Sequence, residues 1–144
     1  MFRLVTLKPP LNDGAIPVDP DALQSLPGVG RYTAGAIASI AFGRPAPILD
    51  GNVIRVLARL LDLEADVTRS ATRNQLWRWS AALVPENRPG DLNQALMELG
   101  RKVCRPLRPP CHHCPLDALC RSRRQGTQPD RPVPQVGGAR GFGR

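Results

Sequence analysis

Lysine is almost missing from this 144-residue chain: Lys8 and Lys102 stand beside 18 arginines and against 12 acidic residues, for a formal charge of +8. Aromatic residues are scarce as well, at 4%. No apolar run approaches the roughly 20 residues that a bilayer-spanning helix needs. Met1 to Pro10 lacks the long apolar stretch and small-residue cleavage site of a secretory signal. These absences exclude a membrane-spanning helix and a secretory leader as readings. The expectation is a soluble, cytoplasmic protein with no membrane partner, nucleoid-associated if bacterial.

What is present supports a core. Apolar residues make up 42% of the chain, enough for one ordinary domain or part of a larger one. The positive balance favours a polyanionic partner. It is unevenly spread: residues 121–144 hold six arginines and one aspartate, leaving +3 for the rest. All four cysteines fall between Cys104 and Cys120. In a reducing compartment such a cluster reads as a metal site rather than a disulfide framework.

Along the chain the pattern is helical throughout. Residues 1–18 are irregular, because Pro9, Pro10, Gly14 and Pro17 block a long helix. Asp19-Pro20 reads as a cap followed by a first-turn proline, opening a short helix to Leu26. Leu26-Pro27-Gly28-Val29-Gly30 is a tight turn, with glycines suited to positive φ and to a close-lying backbone. Arg31 to Phe42 continues as a helix of small residues. A turn that delivers free N–H groups to a helix start is an anion site, and its expected ligand is a phosphate.

Asp50-Gly51-Asn52 opens the next helix. Its stripe is Val53, Val56, Leu57, Leu60 and Leu61, with Arg55 and Arg59 off it. Asp50 is a natural N-cap there. Thr68 is placed to cap a helix over Ser70 to Leu83, whose face is Leu76, Trp79, Ser80 and Leu83; both tryptophans read as core. Asp91 and Gln94 have capping-box spacing at the start of the last long helix, with Leu92, Ala95, Leu96, Leu99 and Val103 as its buried stripe. Short connections favour a compact all-α bundle over residues 19–103.

Residues 104–120 form the cysteine loop, with spacing Cys104-x6-Cys111-x2-Cys114-x5-Cys120. Thiolates suit zinc and iron–sulfur clusters alike. With four cysteines available, His112 and His113 read as loop residues. Lys102, Arg105, Arg108, Arg121, Arg123 and Arg124 flank the loop and suit a phosphate clamp. Residues 121–144 form a basic tail of low complexity, expected to be disordered.

The string Leu26-Pro27-Gly28-Val29-Gly30-Arg31-Tyr32-Thr33-Ala34-Gly35 resembles the helix–hairpin–helix of the base-excision DNA glycosylase superfamily. Ile48-Leu49-Asp50-Gly51-Asn52-Val53 and Leu92-Asn93-Gln94-Ala95-Leu96-Met97-Glu98-Leu99-Gly100 resemble its MutY-type adenine DNA glycosylases. The resemblance implies a partial, all-α helix–hairpin–helix glycosylase fold with a C-terminal [4Fe–4S] cluster held by Cys104, Cys111, Cys114 and Cys120. It implies a monomer acting on double-stranded DNA with a mismatched or damaged base. DNA would be held by Leu26, Gly28, Val29, Gly30, Arg31, Thr33, Arg55, Arg105 and Arg108, with a monovalent cation at the hairpin. Asp50 would be the catalytic aspartate, with Asn52 placing the backbone beside it. Tyr32 stands where lyase-active relatives carry a Schiff-base lysine, and neither Lys8 nor Lys102 matches that position. The implied activity is therefore monofunctional: excision of adenine opposite guanine or 8-oxoguanine in base excision repair.

The match runs from about residue 19 to residue 121. Relatives have a helical region before the hairpin that supplies a proton-donating glutamate; the 24 residues before Ser25 hold no glutamate. The expectation is the middle of a glycosylase, from a misplaced gene start or a truncated paralogue. Two alternatives stand beside the adenine enzyme: a non-catalytic DNA-binding remnant, and a thymine or uracil mismatch glycosylase of the same superfamily.

Overall fold

Asp19 begins the first helix as its chemistry predicts. In the computed structural model, which describes residues 14–133, its carboxylate accepts from the backbone N–H groups of Asp21 and Ala22, each at 3.0 Å. α1 (Pro20–Gln24) follows. After the turn at Ser25 to Gly30 comes α2 (Arg31–Ala36), which widens without a break into a π turn over Ile37–Ala41. Then come α3 (Gly51–Leu60), α4 (Ser70–Leu83) and α5 (Pro89–Lys102). The cysteine loop carries two 3-10 turns, Cys111–His113 and Asp117–Leu119, and leads into α6 (Arg121–Gln125). No strand occurs among the described residues, so the fold is all-α. Most of the irregular N-terminal segment, and residues 134–144 of the tail, lie outside the described residues.

Two apolar clusters hold the elements. The smaller lies under the hairpin: Leu23, Ala34, Ala38 and Ala46, with Leu26, Val29 and Ile37 packed against them. The larger joins Ile48 and Leu49 to α3, α4 and α5 through Val53, Val56, Leu57, Leu76, Trp77 and Leu96. Burial of a side chain such as Leu57 or Leu76 contributes about 1.5–3 kcal/mol.

Several local expectations are corrected. Thr68 does not cap α4. Asp66 accepts its N–H and its hydroxyl at 2.8 and 2.6 Å, which commits Thr68 to a turn. The buried face of α4 is Leu76, Trp77 and Ser80; Trp79 is half-buried and Leu83 exposed. The Ser80 hydroxyl sets that rotation by donating to the Ile48 carbonyl at 2.7 Å. α5 starts at Pro89, so Asp91 lies inside the first turn, where it pairs with Arg88 instead of capping. Its buried residues are Pro89, Gly90, Asn93, Leu96 and Gly100. Asn93 pins this face by donating to Ser39 Oγ at 2.8 Å and to the Ala46 carbonyl at 2.9 Å. Of the expected stripe, Leu96 is buried, Leu92 and Leu99 are half-buried against the larger cluster, and Ala95 is exposed; one side of the stripe lines an open groove with Pro115 and Leu116.

The basic tail is folded over residues 121–133. The hydroxyls of Thr127 and Ser122 donate to Asp62 at 2.6 and 3.1 Å. Arg131 is 8% exposed and pairs with Asp62 at 2.9 Å and Glu64 at 3.4 Å. Composition predicts disorder here, but two acids just after α3 neutralise the arginine and anchor the segment.

Candidate functional site

The hairpin presents backbone. Leu26 and Val29 turn their side chains into the small cluster, so what they offer outward is main chain. Gly28 has φ +80°, the left-handed region that favours glycine, whereas Gly30 is ordinary extended backbone at φ −85°. A Cβ at either glycine would meet nothing within 4 Å, which leaves room for a ligand to approach. Gly30 is the N-cap of α2 with no side-chain cap bond, and Ala34 is the first residue whose N–H returns to Gly30, at 2.9 Å. The N–H groups of the first turn, at Arg31, Tyr32 and the half-buried Thr33, therefore face an anion-binding mouth.

Arg31 does not reach toward that mouth. Its guanidinium lies over the Trp77 ring, 4.0 Å from the centroid, tying the start of α2 to α4. Tyr32 is partly exposed, and its hydroxyl donates to Met97 Sδ on α5 at 3.2 Å. Burial, and then the charge of Asp50, push the Tyr32 hydroxyl above its ordinary pKa of 10.0. The phenol and the aspartate thus share one electrostatic environment, and the phenol stays neutral.

Asp50 is both cap and candidate anion. Its Oδ1 accepts from the Val53 N–H at 2.8 Å, while Oδ2 accepts from the Asn52 amide at 3.2 Å. The half-buried carboxylate is fixed from below yet reaches a groove shared with Ile54, Arg55, Arg73 and Pro129. Asn52 is held in turn: its Oδ1 accepts from Arg55 Nη2 at 2.9 Å. Arg55 also donates to the carbonyls of Gly100 and Cys104, both at 2.7 Å. These internal bonds make Arg55 a strut rather than a free phosphate ligand. Gly100 completes the arrangement, because a Cβ there would lie 2.7 Å from Asn52 Cβ and 2.9 Å from its carbonyl oxygen.

Arg59 corrects the expected pattern of α3. It is 2% exposed, and its guanidinium donates to the carbonyls of Arg105 (2.6 Å), Pro106 (2.9 Å) and Arg131 (3.0 Å), and to Cys104 Sγ (3.6 Å). All four cysteines are free and line one cavity with Arg59, Val103 and Gln128. Burial pushes the thiols of Cys111 and Cys114 up, and the charges of Arg123 and Arg59 partly offset this for Cys111. His112 and His113 are exposed and absent from the lining. Among the described residues, no three His, Cys, Asp or Glu side chains close on a point that a single ion would occupy. The four cysteines share the lining of one cavity. Arg105 and Arg108 are exposed on the loop beside Leu107, which is 83% exposed.

Sequence reasoning missed Arg59, Gly100, Met97 and Gln128. Arg59, Gly100 and Met97 meet groups far along the chain, and no local spacing signals any of the four.

Comparison with known proteins matches this geometry. Residues 13–40 fit the helix-hairpin-helix motif. An adenine DNA glycosylase of Rattus norvegicus is 54% identical over 113 residues, covering 78% of this chain and 22% of that protein. A thymine/uracil-DNA glycosylase of Pyrobaculum aerophilum is 41% identical, covering 72% of this chain and 46% of that one. The solved structure of a thermostable thymine-DNA glycosylase superposes with a TM-score of 0.69 at 32% identity, covering 78% of this chain and 51% of that one. The chain thus spans about a fifth of the first relative and half of the solved structure. Over the stretch from hairpin to cysteine loop, it is similar to helix–hairpin–helix DNA glycosylases, and to the adenine enzymes at the higher identity.

Proposed function

We propose that this chain carries the DNA-gripping and sugar-stabilising part of a monofunctional adenine DNA glycosylase acting on adenine opposite guanine or 8-oxoguanine in double-stranded DNA. The observation that carries the reading is Asp50: its carboxylate is fixed by Val53 and Asn52 and opens on a groove, and its charge helps to raise the Tyr32 hydroxyl of the hairpin helix. Glycosidic cleavage builds positive charge at C1′, and a preorganised anion stabilises it. The target nucleotide must first leave the base stack. The hairpin N–H groups would hold a phosphate while this happens. Leu26 and Gly30 carbonyls each accept one backbone N–H, which leaves a lone pair on each for a monovalent cation.

Tyr32 carries no amine, so no Schiff base forms through it and the reaction is hydrolytic. Neither Glu98 nor Glu64 is suited to protonate a departing base. Hydrogen bonds from Arg101 and Lys102 pull Glu98 down to about 2, and Glu64 pairs with Arg131. The choice of adenine is supported by the mammalian relative, and the archaeal relative supports thymine or uracil as a second reading.

The donor set of the cysteine cavity fits a [4Fe–4S] cluster: four free cysteines line one cavity, and the two histidines of the loop stay outside it. When bound, the cluster would staple the loop that displays Arg105 and Arg108.

The test is base release from duplexes carrying adenine opposite 8-oxoguanine. Asp50→Asn keeps a capping side chain, so the fold should persist. It should lower base release at least about 10²-fold while leaving DNA binding in place. Unchanged release would reduce Asp50 to a cap. Anaerobically purified protein should contain iron at four atoms per cluster, and stoichiometric zinc would overturn the cluster assignment.

A further inference from the structure

The folded tail closes the cysteine cavity with an amide that has no partner. Gln128 lines the cavity together with all four cysteines and Arg59. Its Oε1 is buried without a hydrogen bond. An unpaired buried acceptor is unfavourable, and it is doubly so beside sulfur ligands, which are acceptors themselves. A half-turn of the amide exchanges oxygen for NH2 within the same space. The cavity already receives one such donor: Arg59 Nη1 lies 3.6 Å from Cys104 Sγ.

We propose that Gln128 is a positioning residue for the cysteine-bound centre, turning its amide NH2 toward the sulfurs once the centre forms. This rests on the reading that the four cysteines hold an iron–sulfur cluster. The segment is anchored on both sides of Gln128. Thr127 donates to Asp62 at 2.6 Å, and the Arg131 carbonyl accepts from Arg59 Nε at 3.0 Å. The amide is therefore presented by a fixed turn, the 3-10 turn Gln128–Asp130. N–H donors to cluster sulfurs withdraw negative charge from them, which raises the reduction potential and slows loss of the cluster.

The experiment uses the anaerobically purified holoprotein and its Gln128→Leu and Gln128→Glu variants. Iron release to an iron chelator, the midpoint potential of the cluster and the circular dichroism of the helices are measured on each. Gln128→Leu keeps most of the volume and removes the donor; Gln128→Glu leaves only acceptors at neutral pH. Both should release iron about 2- to 10-fold faster, the ratio one net hydrogen bond supplies. Both should show a lower potential with the helices unchanged, Gln128→Glu the more so. Equal release and equal potential in Gln128→Leu would overturn the proposal. Faster release with an unchanged potential would also overturn it, since that reports packing alone. A wild-type protein lacking iron would instead remove the cluster reading, and this inference with it.

Discussion

The hairpin and the cysteine loop both read as anion-binding regions, yet they are built from opposite materials. At the hairpin the groups that face outward are backbone N–H donors, and the nearby Arg31 is turned aside onto Trp77. At the loop, Arg55 and Arg59 point inward onto carbonyl oxygens and leave the exposed positions to Arg105 and Arg108. Positive charge in the sequence therefore does not map the interface. Part of it holds the fold together, and at the hairpin mouth the proposed phosphate donors are backbone N–H groups.

The strongest way to break this comparison is to remove the inward charge. Arg59→Met strips donors from the carbonyls of Arg105, Pro106 and Arg131. It should destabilise the protein by about 3 kcal/mol or more. In thermal unfolding that is a fall in Tm of about 10 °C or more; a wild-type melting curve would show that the buried guanidinium is not a fastener. Gly100→Ala comes next. It drives a methyl group into Asn52 and should cost about 1–3 kcal/mol. Base release should fall more than DNA affinity, because the displaced group is the one that aligns Asp50. Equal losses of both would separate Gly100 from the aspartate.

Salt titration of DNA binding sharpens the contrast between the arginines. Arg105→Ala should reduce the slope of log affinity against log salt by about 0.9, as expected for one lost phosphate contact. Arg31→Ala should leave the slope as it is and lower affinity only through a loosened hairpin. A reduced slope for Arg31→Ala would return that side chain to the phosphate. The smallest effect concerns the tail. Hydrogen bonds from Thr127 and Ser122, with the charge of Arg131, hold the Asp62 carboxyl below its ordinary 3.8. Its folded-state pKa is depressed, so its stabilisation is complete above about 3.8 and fades as pH falls through the lower folded value. Hydrogen exchange should show residues 126–133 opening in that acid window, before α3 does. Protection that is flat through the window would detach Asp62 from the anchoring.

How much of this was legible in the sequence follows from the range of each interaction. The Asp19 cap, the hairpin, the Asp50 cap and the four-cysteine spacing are local, and each stands in the structure where its chemistry places it. Arg59 was not legible, because periodicity treats a guanidinium as surface while its acceptors sit 45 to 72 residues away. Asn93 misleads for the same reason: a fully buried polar side chain is the pin of α5, and it shares the inward face with Leu96 while Leu92 and Leu99 are left half-buried. The tail misled in the other direction, since composition carries no record of the two acids that receive Arg131.

The π turn between α2 and the Gly43 to Leu49 connection carries a last consequence. Ser39 donates back to the Gly35 carbonyl at 2.7 Å, and a Cβ at Gly90 would lie 2.7 Å from the Ser39 carbonyl oxygen, so α5 abuts the widened coil. A helix that holds a surplus residue can surrender it without unravelling. Deleting one residue within Ile37–Ala41 would let the coil relax to ordinary pitch, but it would withdraw the Ser39 carbonyl from its seat against Gly90 and loosen α5 from the hairpin helix. The seating of the hairpin helix on α5 is thus set by counting residues as much as by any one contact, which makes length, more than side-chain identity, the quantity this segment has to keep.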